Sequence, residues 1–358
     1  MTNRLRGIFV GEAWGVHEAR AGHALVGPSG IELAAMIEES GLGPGVGVKW
    51  PNYENMIAYW ARLRADFGIG VTNVFNEHPM GNEINQFFGK EGDRAQVPLK
   101  AGKYIRPEAM HHVERLWKEL AVDRPNLIIA IGNSAAWATL GKTGIGALRG
   151  AVQSSKRLSG IKVLPTYHPA AILRQWSLRT IGLADLIKAR RELEFPEVRR
   201  PKRWLTVISP DSKGLVEGSQ WLNRPAPDGY SIDIETNFGQ ISMLSFARSP
   251  ADALVIQFHN DDGSSFWPNV FLETEAWKLT QRGLSKPVPK TFQNGLYDIS
   301  YFMRMGFQVK MCRDDTMLRH HAALPELPKS LGFMGSLYSD ECAWKSMRTA
   351  EDTLKRDE

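Results

Sequence analysis

The chain reads as an α/β protein of two modules: a parallel sheet between helices in three layers, then a mixed-sheet α/β domain. Three observations predict this. Short apolar runs of strand length alternate with amphipathic helical stretches through the first half, the alternation that builds βαβ units. Residues 194–203, EFPEVRRPKR, are charged, contain proline and carry no apolar period, which marks a linker. Beyond them, strand-like runs follow one another as a meander before helical stretches resume. The division is therefore 1–193, a linker at 194–203, and 204–358.

Composition sets outer bounds. A chain of 358 residues, 43% hydrophobic and 23% charged, suffices for two ordinary cores. No apolar run reaches the ~18–20 residues of a membrane span, and GIFVG is too short for a signal-peptide core. Cys312 and Cys342 form no CxxC pair, so neither a disulfide framework nor a cysteine-ligated cluster is expected, and a reducing, cytoplasmic setting fits. Residues 1–200 hold 26 Lys+Arg against 19 Asp+Glu, whereas the remainder holds 18 against 20. A basic first half suits a polyanionic partner or an ordinary basic enzyme; an acidic second half suits carboxylates gathered around metal ions.

In order, Ile8–Val10 is a strand running into Gly11-Glu12-Ala13-Trp14-Gly15. A polar loop follows to His23, then ALVGPSG, with Ser29 as N-cap of a helix over Ile31–Ser40 whose apolar residues recur at helical spacing. Helix Glu54–Asp66 feeds strand Gly70–Phe75, and a long polar loop leads to helix Pro107–Val122 and strand Leu127–Ile131. Gly132-Asn133-Ser134 opens helix Ala135–Leu140; strand Lys162–Pro165 ends at His168-Pro169; helix Leu178–Leu193 closes the module. Parallel α/β sheets bind ligands at the carboxyl ends of their strands. Glu12, Asn73, Asn133, Ser134 and His168 therefore converge on one edge. Singly, each has a structural explanation as a turn or loop residue; their shared position makes a common site.

GEAWG with ALVGPSG, then TNVF, AIGNSAAWATLG with Arg149-Gly150, and PTYHPAAILR with LRQWSLR behind it together resemble the uracil-DNA glycosylase superfamily over about residues 5–193. The thermostable bacterial and archaeal (family 4-like) branch is nearest. The resemblance implies a three-layer α/β/α fold that flips a base out of DNA and hydrolyses its N-glycosidic bond. On it, Asn73 reads the base, His168 supports the leaving group, and Glu12, with Glu18 in reserve, handles water. Helix starts at Ser29-Gly30 and Asn133-Ser134 would hold phosphates, and Leu173 and Arg174 would wedge into the duplex. Leu25 stands where relatives usually stack an aromatic on the base, and Trp14 stands in place of a proline. The four cysteines of that branch's iron–sulfur cluster are absent, so this module is expected to need no cofactor.

In the second half, strand Trp204–Ile208 and a helix near Gly214–Leu222 precede Tyr230–Thr236, where SIDIET sets Asp233 and Glu235 at i and i+2 on one strand face. Paired carboxylates on an apolar strand need a cation or solvent. Strands Gln240–Ala247 and Ala253–Phe258 follow, then QNGLYD with Asp298 opening a helix over Ile299–Met305, and Asp315-Thr316-Met317 opening another. DIET, QNGLYD and DDTM resemble the DnaQ-like (RNase H-like) 3′–5′ exonuclease domain of family A DNA polymerases, phage ones most closely. The resemblance implies Asp233, Glu235 and Asp298 as ligands of Mg²⁺ or Mn²⁺, with Asn294 and Tyr297 near the terminal nucleotide. The domain is incomplete: Tyr338 has no Asp four residues on, Asp352 and Asp357 lack the preceding Tyr, and no polymerase domain follows. Either the chain is a split or truncated polymerase product, or the missing carboxylate comes from a partner, a separate phage polymerase chain. Two readings stay open: a repair and replication enzyme acting on uracil-containing DNA and 3′ ends in the host cytoplasm, or a non-catalytic DNA-binding accessory, a truncated polymerase part.

Overall fold

The computed structural model describes residues 6–45, 53–90, 97–98, 103–199 and 202–339; Cys342, Asp352 and Asp357 lie outside the described residues. Two compact units form. One comprises the described parts of Met1–Val198 and Gly332–Glu358, the other Arg199–Leu331.

The first unit runs β1 (Gly7–Ala13), α1 (Val16–Ala21), α2 (Pro28–Glu39), α3 (Tyr53–Phe67), β2 (Ile69–Phe75), β3 (Phe88–Lys90), β4 (Val97–Pro98), β5 (Lys103–Ile105), α4 (Met110–Asp123), β6 (Leu127–Ile131), α5 (Gly132–Leu140), α6 (Ile145–Leu148), β7 (Gln153–Ser154), β8 (Lys162–Thr166), α7 (Pro169–Arg174) and α8 (Leu178–Glu192). Its sheet has the order β2-β1-β6-β8-β7, parallel except for β7. Alternate strand residues face opposite sides, and both sides are covered. Ile8, Val10, Ile128, Ala130 and Val163 pack with Val113 and Leu116 of α4 and Trp137 of α5. Phe9, Ile129 and Leu164 pack with Leu33 of α2, Leu63 of α3 and Leu186 of α8. That makes three layers.

Local chemistry accounts for the departures from the sequence reading. The polar loop after Gly15 is partly helix α1, because Glu18 Oε2 accepts the Gly15 N–H at 3.0 Å and Gly22 ends the turn in the left-handed region. Helix α2 is capped by Gly27 rather than Ser29, with Pro28 at its first position. The long loop after β2 folds into a small antiparallel sheet, β3-β5-β4.

The second unit runs β9 (Trp204–Val207), α9 (Ser212–Asn223), β10 (Tyr230–Asn237), β11 (Gln240–Ser249), β12 (Asp252–Gln257), α10 (Val270–Ser285), β13 (Lys290–Phe292), α11 (Gly295–Arg304), β14 (Cys312–Asp315) and α12 (Thr316–Ala323). Its mixed sheet has the order β14-β13-β10-β11-β12-β9, with β10-β11-β12 as the antiparallel meander. Ile232 and Ile234 enter the core with Leu244, Phe246, Leu254 and Ile256, while Ser231, Asp233 and Glu235 are exposed. Helix α11 starts at Gly295, not Ile299, so Asp298 lies in its first turn.

The sequence reading runs the second module over 204–358; the described residues group differently near its end. Helix α13 (Leu331–Tyr338) passes from Gly332 into the first unit. The cause is a pair of buried cations there. Arg149 donates to Ser336 Oγ at 2.9 Å, and Lys188 donates to the Ser336 carbonyl and, at 2.6 Å, to that of Ser339. The unpaired carbonyls at a helix C-terminus suit such donors.

Candidate active site

The carboxyl ends of β1, β6 and β8 open onto a cavity of about 810 Å³ in the first unit. Glu12, Trp14, Leu25, Ser29, Asn133, His168, Leu173 and Arg174 all line it. Of the residues expected at the strand ends, Glu12, Asn133 and His168 line this cavity, whereas Ser134 and Asn73 do not. Asn73, on β2 opposite Gly11 of β1, is 1% exposed and absent from the cavity wall. Both polar atoms of its amide are buried and meet no hydrogen-bond partner among the described residues. Gly11 is what admits it: a Cβ there would stand 2.2 Å from Asn73 Oδ1.

His168 caps helix α7, its Nδ1 accepting the Ala170 N–H at 3.1 Å. An accepting Nδ1 puts the ring proton on Nε2 in the neutral tautomer. Burial pushes the imidazole pKa below its ordinary value; the Glu12 and Glu18 carboxylates oppose that, and Arg174 adds to it. Glu12, at the end of β1, accepts a hydrogen bond from Ser134 Oγ at 2.5 Å, which fixes the carboxylate against α5.

Several expected roles change. Glu18 lines the cavity, but its oxygens accept from the backbone N–H groups of Gly15, Val26 (3.1 Å) and Gly27 (2.8 Å), so it braces the loop that carries Leu25. Ser134 is engaged with Glu12, and the Gly30 N–H donates to the Gly27 carbonyl at 2.9 Å; neither group is available to a phosphate. Asn133 Oδ1 accepts from Gly144 and Ile145, both at 2.9 Å, and holds the start of α6. Leu173 is 47% exposed on the cavity lip. The sequence reading missed His17, His78 and Tyr167 in the lining. For His78, the EHPMGN run directly after β2 was the available signal.

In the second unit, Asp233 and Glu235 share the exposed face of β10. Asp298 reaches them from α11, its Oδ1 accepting the Ile234 N–H at 3.0 Å. Burial, with Asp233 and Asp315 adding to it, pushes the Asp298 carboxyl up to about 6. Tyr297 shares a 2.7 Å hydrogen bond with Thr236. Asn294 takes a left-handed backbone as the N-cap of α11. Asp315 accepts from the backbone N–H groups of Asn294, Gly295, Met317 and Leu318, tying two helix starts together. Among the described residues, no three His, Cys, Asp or Glu side chains come close enough to hold a metal ion. Tyr338, on α13, belongs to the other unit. No helix among the described residues is long and apolar enough to cross a membrane.

A family model described as the uracil DNA glycosylase superfamily matches residues 2–194. The chain is 28% identical over 187 residues to the type-4 uracil-DNA glycosylase of Thermotoga maritima, covering 51% of this chain and 75% of that protein. A solved structure with detectable similarity is Escherichia coli RNase D, an exoribonuclease involved in structured RNA processing. The identity is 16% and the TM-score 0.27, over 40% of this chain and 34% of that one; overlap of that size carries no argument.

Proposed function

The chain belongs to the uracil-DNA glycosylase superfamily, and from that membership we propose that its first unit excises uracil from DNA by hydrolysing the N-glycosidic bond. The observation that carries this reading is an unpartnered buried amide, Asn73, on β2 beside Gly11, together with His168 on the cavity wall, its Nδ1 accepting from Ala170. An amide presents a donor and an acceptor together, matching the N3–H and O4 of an extruded uracil, whereas the C4 amino group of cytosine mismatches. As the bond to the sugar breaks, negative charge gathers on the uracil O2, and His168 donates its Nε2–H to that oxygen. Glu12, held by Ser134, orients the water that attacks the sugar carbon and offsets positive charge developing there. Leu173 and Arg174 on the lip enter the duplex as the base leaves it. No cofactor enters this scheme.

For the second unit, the mixed-sheet order β14-β13-β10-β11-β12-β9 and the carboxylates Asp233 and Glu235 on β10 support an RNase H-like, DnaQ-type domain. We assign it the part of an incomplete nuclease that docks onto a separate polymerase chain.

The test uses a 5′-labelled oligonucleotide carrying one uracil, incubated with the protein in EDTA and then treated with alkali. Chelation silences metal-dependent nucleases, so strand cleavage at the uracil reports base excision. Cleavage that disappears in Asn73→Ala and His168→Ala is the expected result. An intact strand, with gel-shift binding retained, selects the alternative of a non-catalytic DNA-binding accessory, which Leu25 in the usual place of an aromatic favours.

A further inference from the structure

We infer that Leu25 is a side-chain gate that must swing off Asn73 before a base can pair with it; the inference rests on the proposed reading of Asn73. Buried polar groups are normally paired within the protein or by a ligand. Asn73 has two adjacent orphan atoms, one donor and one acceptor, so the ligand class they call for is a base edge with neighbouring N–H and C=O groups. In this conformation both amide atoms are buried, and Leu25, which lines the cavity, lies next to the same point as the amide oxygen.

The notch left by Gly11 locates the contact. A Cβ on Gly11 would meet Asn73 Oδ1 at 2.2 Å and Leu25 Cδ2 at 3.6 Å, so the leucine methyl and the amide oxygen flank the same point. Leu25 is 3% exposed yet faces the cavity, as a lid would.

The backbone of Leu25 is not the moving part. It sits at φ 56°, a left-handed conformation unfavourable for a residue with a Cβ. Three features hold it there. The Trp60 indole N–H donates to the Leu25 carbonyl at 2.8 Å. Gly30 lies so close that a Cβ on it would come 1.7 Å from that same carbonyl oxygen. Glu18 accepts the N–H groups of Val26 and Gly27 just beyond. With the main chain pinned, rotation about the leucine side-chain torsions is the available motion, and such rotations are fast. The gate lowers apparent base affinity by the fraction of time it stands open.

The experiment titrates free uracil calorimetrically into the full-length protein as wild type, Leu25→Ala, Leu25→Gly and Leu25→Met, and runs the EDTA excision assay on each. Leu25→Gly removes the side chain and suits the left-handed backbone, so it carries the test if Leu25→Ala melts early. The expected result is uracil binding at least about fivefold tighter in Leu25→Ala and Leu25→Gly, near-wild-type binding in Leu25→Met, and loss of the gain when Asn73→Ala is added. Folded Leu25→Gly protein binding no more tightly than wild type overturns the gate. If wild type excises uracil in that case, the glycosylase reading stands and the gate alone falls. If no variant binds uracil and none excises it, the reading of Asn73 falls and the gate with it.

Discussion

Replacing Asp185 by Asn should both destabilise the first unit and loosen the strand that ends in His168. Asp185 and Arg149 are each 0% exposed. The guanidinium donates to both carboxylate oxygens, through Nε to Oδ2 at 2.9 Å and through its other arm to Oδ1. Thr166 Oγ1 adds a third hydrogen bond at 2.8 Å. Burial pushes the Asp185 carboxyl up while Arg149 and Thr166 pull it down; with three donors on its two oxygens, the carboxylate is the form this geometry accommodates. Thr166 is the last residue of β8, two before His168. In Asp185→Asn an amide N–H₂ confronts the guanidinium, and a charge stays buried with neutral partners such as Ser336 Oγ. Breaking one side of a buried pair costs about 3–5 kcal/mol. For a domain of this size 1 kcal/mol moves Tm by about 2–4 °C. The midpoint by calorimetry should therefore fall by roughly 6–12 °C at the lower end of that cost, with uracil excision falling alongside. The double change Arg149→Met with Asp185→Leu, which removes both charges, should recover most of the loss. A melting point for Asp185→Asn within about 2 °C of wild type, below the shift expected for a single kcal/mol, would refute the reasoning.

Two further outcomes follow from titrating groups. Excision should be level above pH 6.5 and fall toward acid as His168, whose pKa burial depresses, gains a proton and the buried site must accept charge. His168→Gln, which keeps an N–H but does not titrate, should flatten that acid limb even at a reduced rate. The linked stability has the same sign: it is fully present above the unfolded pKa of about 6.5 and is lost as pH falls through the depressed folded value. Asp298 behaves oppositely. Its carboxyl, raised to about 6, contributes stability that is complete below the unfolded value near 4 and lost as pH rises through 6. Asp298→Asn should thus stabilise the second unit at pH 7.5 by on the order of 2 kcal/mol and leave it nearly unchanged at pH 4, measured by denaturant unfolding at both values.

What the sequence alone determined is what local periodicity encodes. Ile8–Val10, Leu127–Ile131 and Lys162–Pro165 are runs too short and apolar for anything but strands buried on both faces, and they form the middle of the first sheet. SIDIET alternates, so its two carboxylates had to share the face opposite Ile232 and Ile234. Even the missed helix α10 had its signal: Asn269 caps it, with Ala276, Leu279, Thr280 and Gly283 buried at helical spacing. Partnership between distant residues has no such period. Glu18 looks like a spare catalytic acid until the fold brings the N–H groups of Val26 and Gly27 onto it. Ser134 looks like a phosphate donor until Glu12, 122 residues away in sequence, takes its hydroxyl. Asn73 lies on the expected strand, but its burial against Gly11, and the approach of the Leu25 carbonyl to Gly30, depend on those glycines lacking side chains. Helix α13 follows the second unit in sequence and packs with the first, because buried Arg149 and Lys188 need acceptors that its last turn supplies. Side-chain direction along an element is set by backbone geometry and can be read residue by residue; which donor meets which acceptor is decided only when the whole chain is packed.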